Sequence, residues 1–186
     1  MWRRIFPRAA VYPDAFCDIP ADVPSPTYLT SGFDCPDYSP RGSNLGMWGE
    51  TGWKYVKQVS LIIRIRPKAF RLEQTDNVQN INGGIELRAV LEGLQDLYVL
   101  HHKVVSVWQY GDVSNRKRYN IVGFLKSAVG EHAHSFSFPM PSHDESNAPC
   151  GMHIAVSDDD VPDEYWRNQY IDPHFVPYHE PTGGQL

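Results

Sequence analysis

The sequence has little of what several protein classes need. Three cysteines among 186 residues are too few for a disulfide scaffold, which points to a reducing compartment. No apolar run reaches about 18 residues, and no apolar segment follows the arginines near the N-terminus, so neither a membrane span nor a secretory signal is expected. Only one Lys or Arg lies beyond residue 130, so the charge distribution permits a polyanionic partner on the preceding part alone and does not require one.

What the chain does contain fits one folded domain. Hydrophobic residues make up 41% and charged residues 21%, which is a globular composition. Residues 1–130 carry 16 Lys and Arg against 12 Asp and Glu, whereas residues 131–186 carry 1 against 10. The chain is therefore a mildly basic body followed by an acidic segment without sustained periodicity.

The first half of the body alternates strand and helix patterns. TYLTSG (27–32) predicts a short buried strand that ends in glycine, and the glycine-rich stretch 39–52 predicts a loop. Apolar residues at positions 53, 56, 59, 62 and 63 follow a helical period, which predicts a helix over 53–66 that ends before Pro67.

The second half continues the alternation. A strand is predicted over 69–74, an amphipathic helix over 84–97, a strand or bent pair over 98–111 and a strand over 118–125. This order predicts an α/β sheet with crossover helices. In such sheets, ligands bind at the carboxyl ends of the strands, so the loops that follow the strands are the places to look for chemistry.

Four residues in those loops carry reactive groups. Cys35 follows the first strand in a loop rich in glycine and proline, where a thiol can react. Glu73 ends an apolar strand and can act as an acid. Arg116 and Arg118 are two residues apart, so on an extended segment their side chains point the same way. Taken singly, each also has an ordinary structural explanation.

Their order resembles that of the DNA (cytosine-5) methyltransferase family, over roughly residues 5–139. SGFDCPDYSPRGSNLGMWGETG resembles the family's fourth motif. A glycine precedes the cysteine, and an aromatic residue, a serine and further glycines follow it. RPKAFRLEQTDNV resembles the sixth motif, and WQYGDVSNRKRYNIVGF, followed by FSFP, resembles the eighth. The resemblance implies a Rossmann-like sheet of the kind found in S-adenosylmethionine-dependent methyltransferases, incomplete at its N-terminal side.

The resemblance also implies a chemistry for the four residues. Cys35 would be the nucleophile that adds to C6 of cytosine, and Glu73 would protonate or hydrogen-bond N3. Arg118 would contact O2 of the base and help to hold Glu73. Arg116 would steady the cysteine loop and a nearby phosphate. The target base would leave the duplex to reach them.

Further residues are implied by the same resemblance. S-adenosylmethionine would supply the methyl group, with four residues on the cofactor side: Asp14, Asp18, Gly32 and Asp34. Asp14 and Asp18 are rivals for one contact with the adenine. The substrate loop would include Ser39, Gly42 and Trp48, and its glycine-rich stretch 42–52 would close over the base as a mobile lid.

The sequence departs from the family in what precedes Cys35. No glycine occurs before Gly32, so the family's Phe-x-Gly-x-Gly loop and the acidic residue after it are not found. We therefore expect residues 1–140 to form a partial catalytic core, and residues 141–186 to form an acidic tail or the start of a recognition region. The chain would be a truncated product, a decayed copy, or one half of a split enzyme completed by a second methyltransferase chain. Alone, it should bind S-adenosylmethionine weakly or not at all.

Other interpretations remain open at this point. A methyltransferase-like protein without catalysis could dock a partner, and its acidic tail would suit a basic protein. A zinc site could be assembled from five residues in the C-terminal part: His132, His134, His143, Cys150 and His153. DNA is the expected substrate, although one branch of the family acts on transfer RNA. The compartment would be the nucleus in a eukaryote, or the cytoplasm for a bacterial or viral protein.

Overall fold

A four-stranded sheet organises the computed structural model, which describes residues 23–32, 36–144 and 146–149. The strands are β1 (Tyr28–Gly32), β2 (Ala69–Thr75), β3 (Tyr98–Ser106) and β4 (Lys117–Leu125). Their order in the sheet is β1-β2-β4-β3, with β1 and β2 parallel and β4 antiparallel to both of its neighbours. This mixed sheet confirms the predicted α/β class.

Two helices connect the strands. They are α1 (Trp53–Ile65) and α2 (Ile85–Gln95). A third helix of one turn, α3 (Lys126–Val129), follows β4. Helix α1 ends where predicted, because Arg66 adopts a left-handed conformation with φ 47° and Pro67 follows it. No helix in the described ranges is long and apolar enough to span a membrane.

Helix α1 buries only part of its periodic apolar set. Ile62 is buried, whereas Trp53, Val56 and Ile63 are 42%, 43% and 38% exposed. The other buried residues of α1 are Tyr55, Gln58 and Ile65. Gln58 lies on the buried face because its side-chain amide donates to Ser31 Oγ of β1 at 2.6 Å, a polar contact that a hydrophobic period does not report.

Strand β1 was predicted to be buried, and this is also wrong. Its side chains alternate between exposed and half-buried, and Tyr28 at its start is 55% exposed. The reason is its place in the sheet, since β1 is an edge strand that pairs with β2 alone among the described strands. The predicted strand over 98–111 also shortens, because Val107–Tyr110 form a 3-10 turn that ends at Gly111 with φ 94°.

The hydrophobic core lies between the helices and one face of the sheet. On β2 the residues Phe70 and Leu72 point into it, and Ala69, Arg71 and Glu73 alternate with them on the other face. The Phe70 ring packs edge-on against Tyr98, with ring centroids 4.9 Å apart. The Phe70 ring also lies beside Gly123 of β4, where a Cβ atom would overlap it. Arg71 and Glu73 therefore share the face away from the helices, whereas the polar side chain of Gln74 is buried on the core side.

Candidate active site

Glu73 stands beside the end of β1. The parallel pairing of β1 and β2 puts Gly32 opposite Glu73 at the carboxyl ends of both strands. A Cβ at position 32 would lie 2.9 Å from Glu73 Oε2, which is closer than real Cβ contacts allow. Glycine at position 32 therefore leaves room for this carboxylate, three residues before Cys35 in the sequence.

Both predicted arginines contact the same oxygen of Glu73. The antiparallel register of β2 and β4 pairs Arg118 with Thr75, two residues from Glu73. Arg118 Nε lies 2.8 Å from Glu73 Oε1, and Arg116 Nη2 lies 3.7 Å from the same atom. The Arg118 side chain is 25% exposed and that of Arg116 is 58% exposed, so Arg118 is the more firmly held partner. The structure thus brings Glu73, Arg116 and Arg118 together.

A row of hydrogen bonds on the same sheet face supports this ion pair. Arg71 Nε donates to Asn120 Oδ1 at 2.8 Å, and Asn120 Nδ2 donates to the Arg118 carbonyl at 3.0 Å. Arg118 also donates from a terminal guanidinium nitrogen to the Lys117 carbonyl at 2.8 Å. The sequence analysis missed Arg71 and Asn120. Residues two apart on a strand share a face, so Arg71 lies on the face of Glu73 and Asn120 lies on the face of Arg118.

The loop between β1 and α1 is attached to the end of β2. Thr75 Oγ1 and Asn77 Nδ2 both donate to the Tyr38 carbonyl at 3.0 Å. Within the loop, the Gly42 N–H donates to the Ser39 carbonyl at 2.9 Å. Trp48 lies on a 3-10 turn, Gly46–Trp48, and is 81% exposed. An aromatic side chain at this position is available for contact with a ligand.

A basic cleft lies beside the arginines. It has a volume of about 570 Å³ and is lined by Ser39, Pro40, Arg41, Thr75, Asp76, Asn115, Arg116, Lys117 and Arg118. Four of these residues are cationic and one is acidic. Ser39, Arg116 and Arg118 were predicted as site residues, whereas Arg41 and Lys117 were missed because single surface cations carry no pattern. A cleft with this charge suits an anionic ligand such as phosphate.

Four of the predicted site residues, Asp14, Asp18, Asp34 and Cys35, lie outside the described residues. Gly32, which was predicted on the cofactor side, contacts Glu73 in the structure, and a contact with a cofactor remains a prediction. For the zinc interpretation, the described part of the chain holds no group of three or more His, Cys, Asp and Glu arranged to bind a metal. Cys150 and His153 of that interpretation are also outside the described residues.

Comparison with known proteins identifies the family of the chain. A sequence model of C-5 cytosine-specific DNA methylases matches residues 11–175. The chain is 28% identical to the type II methyltransferase M1.ScrFI of Lactococcus lactis subsp. cremoris, over 78% of this chain and 38% of that protein. It is 31% identical to M.HaeII of Haemophilus aegyptius, over 79% of this chain and 44% of that protein. The chain thus spans about two fifths of the length of these relatives.

A solved structure shows the same fold. The crystal structure of a Spodoptera frugiperda DNMT2 mutant superimposes with a TM-score of 0.57, at 9% identity, covering 88% of this chain and 50% of that one. The predicted Rossmann-like methyltransferase sheet is therefore confirmed. Because the sequence match runs through most of the chain, including Glu73 and both arginines, the chain belongs to the C-5 cytosine-specific DNA methylase family.

Proposed function

We propose that this chain supplies the catalytic middle of a DNA (cytosine-5) methyltransferase, with residues 1–140 as part of the core and residues 141–186 as a tail or the start of a recognition region. The observation that carries the proposal is the 2.8 Å contact between Arg118 Nε and Glu73 Oε1, made beside Gly32. Gly32 precedes Cys35 by three residues in the sequence. A reactive thiol, a carboxyl group and a guanidinium are the groups that addition to a cytosine ring requires.

The proposed reaction begins at Cys35. Its thiolate forms a bond to C6 of cytosine, and the C5–C6 π electrons move towards C4 as the C4–N3 pair moves onto N3. Glu73 delivers a proton to N3, which leaves a neutral ring with a nucleophilic C5. After C5 has accepted an electrophile, the proton on N3 returns to Glu73. The C5 hydrogen then leaves as a proton to solvent water, and its electron pair re-forms the C5–C6 double bond as Cys35 departs as a thiolate. The Glu73 side chain is 24% exposed, so part of it is accessible to a base.

The two arginines have different proposed parts. Arg118 fixes Oε1 of Glu73, so that Oε2, on the Gly32 side, is the oxygen presented to the base. A carboxyl group that is already held in one orientation transfers a proton without the entropy loss of adopting that orientation during the reaction. Arg116 is more exposed and farther from Glu73, which suits contact with a phosphate of the target strand.

S-adenosylmethionine is the methyl donor that membership of this family implies, and it would supply an electrophilic methyl group for C5. The described residues do not form a site for it by themselves. Gly32 is the one described member of the four residues proposed for the cofactor side, and the space next to its Cα is occupied by the Glu73 carboxylate. The steps proposed for this chain are therefore those of Cys35, Glu73 and Arg118.

The proposed substrate is DNA. The cleft beside Glu73 carries Arg41, Arg116, Lys117 and Arg118, and its volume of about 570 Å³ admits a nucleotide. A base flipped out of the duplex would enter it, with the flanking phosphates on the cations. The protein would then act where the genome lies, in a nucleus or in a bacterial cytoplasm.

We also propose that a complementary methyltransferase segment completes the sheet. Parallel strands are normally covered on both faces, and an open edge strand has backbone groups available to pair with another segment. Strand β1 pairs with β2 alone among the described strands. Beside it, the face away from the helices carries an apolar cavity of about 510 Å³ lined by Tyr28, Val122, Phe124, Phe136 and Phe138, among others. Co-purification with a separately expressed N-terminal part of a family member would support this. Separate elution at micromolar concentrations would oppose it.

A test of the catalytic proposal needs no methyl donor. Addition of a thiol at C6 makes C5 basic, so the C5 hydrogen of cytosine exchanges with deuterated water, which mass spectrometry detects. We expect the wild-type chain to catalyse this exchange in DNA, Cys35→Ser to abolish it, and Cys17→Ser to retain it as the matched control. Equal exchange with wild type and Cys35→Ser, or none with either, would contradict the proposal.

A further inference from the structure

Two buried carboxylates, one within the loop between β1 and α1 and one packed against it, take no part in the proposed reaction. Asp37 and Glu86 are each 4% exposed. A buried carboxylate is costly unless hydrogen bonds replace its lost water, so the donors around each one show what it holds. Asp37 is two residues after Cys35, and Glu86 is in the first turn of α2.

Asp37 draws the two ends of the glycine-rich loop together. Its Oδ1 accepts a hydrogen bond from Ser43 Oγ at 2.5 Å. Its Oδ2 accepts from the Thr51 N–H at 2.7 Å and from Thr51 Oγ1 at 2.6 Å. The Asp37 carbonyl also accepts from the Gly46 N–H at 2.8 Å. The hydrogen bonds of Ser43 and Thr51 hold the pKa of Asp37 below its ordinary value, as expected for a charged acceptor.

Glu86 holds the middle of the same loop. Its Oε2 accepts from the Met47 N–H at 3.0 Å, and its Oε1 accepts from Asn82 Nδ2 at 2.7 Å. Burial raises the pKa of Tyr38, and a side-chain hydrogen bond with Glu86 raises it further. Glu86 therefore links helix α2 to two parts of the loop.

The two carboxylates also explain glycines in the loop. At Gly49 the backbone has φ −78° and ψ 167°, which any residue adopts, yet a Cβ there would overlap the Asp37 carboxylate. At Gly46 a Cβ would overlap Glu86 Oε1. The loop is thus built around the two acids, and position 49 offers a way to test the contact without backbone strain.

We propose that Asp37 and Glu86 are positioning residues that hold loop 39–52 folded, so that Ser39 and Trp48 meet the substrate in a fixed place and the backbone after Cys35 is fixed with them. This proposal rests on the proposed function, which supplies the substrate that Ser39 and Trp48 would contact. The acids touch no reacting atom. They act by ordering this loop before substrate binds, in contrast to the mobile lid that the family resemblance implied for residues 42–52.

The first test is amide hydrogen exchange in the full chain, followed by NMR. We expect Asp37→Asn to speed exchange at the Thr51 amide, and Glu86→Gln to speed it at Met47, by about tenfold or more, since each weakens a hydrogen bond to a charged acceptor. Glu50→Gln, an exposed change in the same loop, should alter neither. Unchanged protection in both variants would overturn the proposal.

The second test is rescue. Gly49→Ala should lower the melting temperature of the wild type, because the new methyl group meets Asp37. In the Asp37→Ala background the same substitution should leave the melting temperature unchanged, since the carboxylate is gone. A loss that is equal in both backgrounds would show that Asp37 does not occupy the space beside Gly49, against the proposal.

The third test separates positioning from folding and from the chemistry. In the C5 exchange assay, Asp37→Asn should lower the rate at saturating DNA by about tenfold without weakening DNA binding. An unchanged rate would overturn the positioning role. A wild type with protected Thr51 and Met47 amides that exchanges no C5 hydrogen would contradict the proposed function instead, because the first two tests involve neither DNA nor methyl donor.

Discussion

Arg118 and Glu73 form the shortest ion pair in the described residues, with Nε 2.8 Å from Oε1. Their strands run antiparallel, and Arg118 stands opposite Thr75, so its side chain reaches along the sheet face to the carboxylate. The contact is partly exposed on both sides and gains modest free energy for folding, on the order of 1 kcal/mol or less. Its value lies in fixing the orientation of one carboxyl group.

Replacing Glu73 should remove the proton donor and leave the fold intact. We expect Glu73→Gln to lower C5 hydrogen exchange by about 10²- to 10⁴-fold, the range for loss of a general acid. Glu92→Gln, an exposed change on α2, is the matched control and should retain full activity. A Glu73→Gln chain that exchanges at the wild-type rate would remove Glu73 from the mechanism.

A substitution at position 32 tests the packing of the site without replacing a charged residue. Gly32→Ala places a methyl group 2.9 Å from Glu73 Oε2, so the carboxylate must move. We expect the exchange rate to fall while the melting temperature changes little, because a carboxylate that is 24% exposed has room to shift towards solvent.

Gly93→Ala is the matched substitution for that test. On α2 its Cβ would meet only Val59 Cγ1, at 3.9 Å, which is ordinary contact. Alanine in a helix interior is favoured over glycine by about 0.5–1 kcal/mol, so this variant should be slightly more stable and fully active. A Gly32→Ala chain as active as Gly93→Ala would mean that the place of Glu73 beside β1 is unimportant.

The sequence predicted much of this arrangement, and for identifiable reasons. Strands β2 and β4 were found because Phe70 and Leu72, and Tyr119 and Ile121, are apolar residues in short runs bounded by turn residues. The ion pair could not be read from periodicity. It depends on the antiparallel register that sets Thr75 against Arg118, a long-range property, and it was anticipated through the family resemblance alone.

The buried polar residues were not predicted from the sequence, and they share one cause of burial, which is hydrogen bonding to other parts of the fold. Asp37 and Glu86 look like surface acids in the sequence, and their burial follows from hydrogen bonds to backbone N–H groups, which every residue possesses. The burial of Gln58 on α1 has a similar origin, because its side-chain amide donates to Ser31. Polar contacts across the fold carry no hydrophobic period.

The cations of the cleft should contribute to DNA binding independently of sequence. Arg41→Ala and Lys117→Ala should each weaken binding to all DNA sequences alike, and each should reduce the salt dependence, log K against log salt, by about one unit. Lys103→Ala, an exposed change on β3 outside the cleft, is the control. Fluorescence anisotropy at several salt concentrations measures both quantities, and an unchanged slope would exclude the phosphate contact for that residue.

The isolated chain should bind S-adenosylmethionine weakly or not at all. Gly32 is the one described residue proposed for the cofactor side, and the space beside it is occupied by the Glu73 carboxylate. Titration calorimetry with the full chain should therefore detect no binding at micromolar concentrations. A micromolar dissociation constant would mean that residues outside the described ranges form a complete site. In that case addition of a complementary segment would be unnecessary for methyl transfer.

The low pKa of Asp37 predicts how stability depends on acid. Because hydrogen bonds from Ser43 and Thr51 lower its pKa in the folded state below the ordinary 3.8, the unfolded chain takes up this proton first as the pH falls. The contribution of Asp37 is therefore complete above about pH 4 to 5, and it is lost as the pH drops through the folded-state value. Urea unfolding from pH 7 to pH 2.5 should show wild type losing more stability in that window than Asp37→Asn, which has no proton to take up. The Glu50→Gln variant should follow the wild-type curve. Parallel curves for wild type and Asp37→Asn would mean that the carboxylate is not held by these donors in solution, and the order of the glycine-rich loop would need another source.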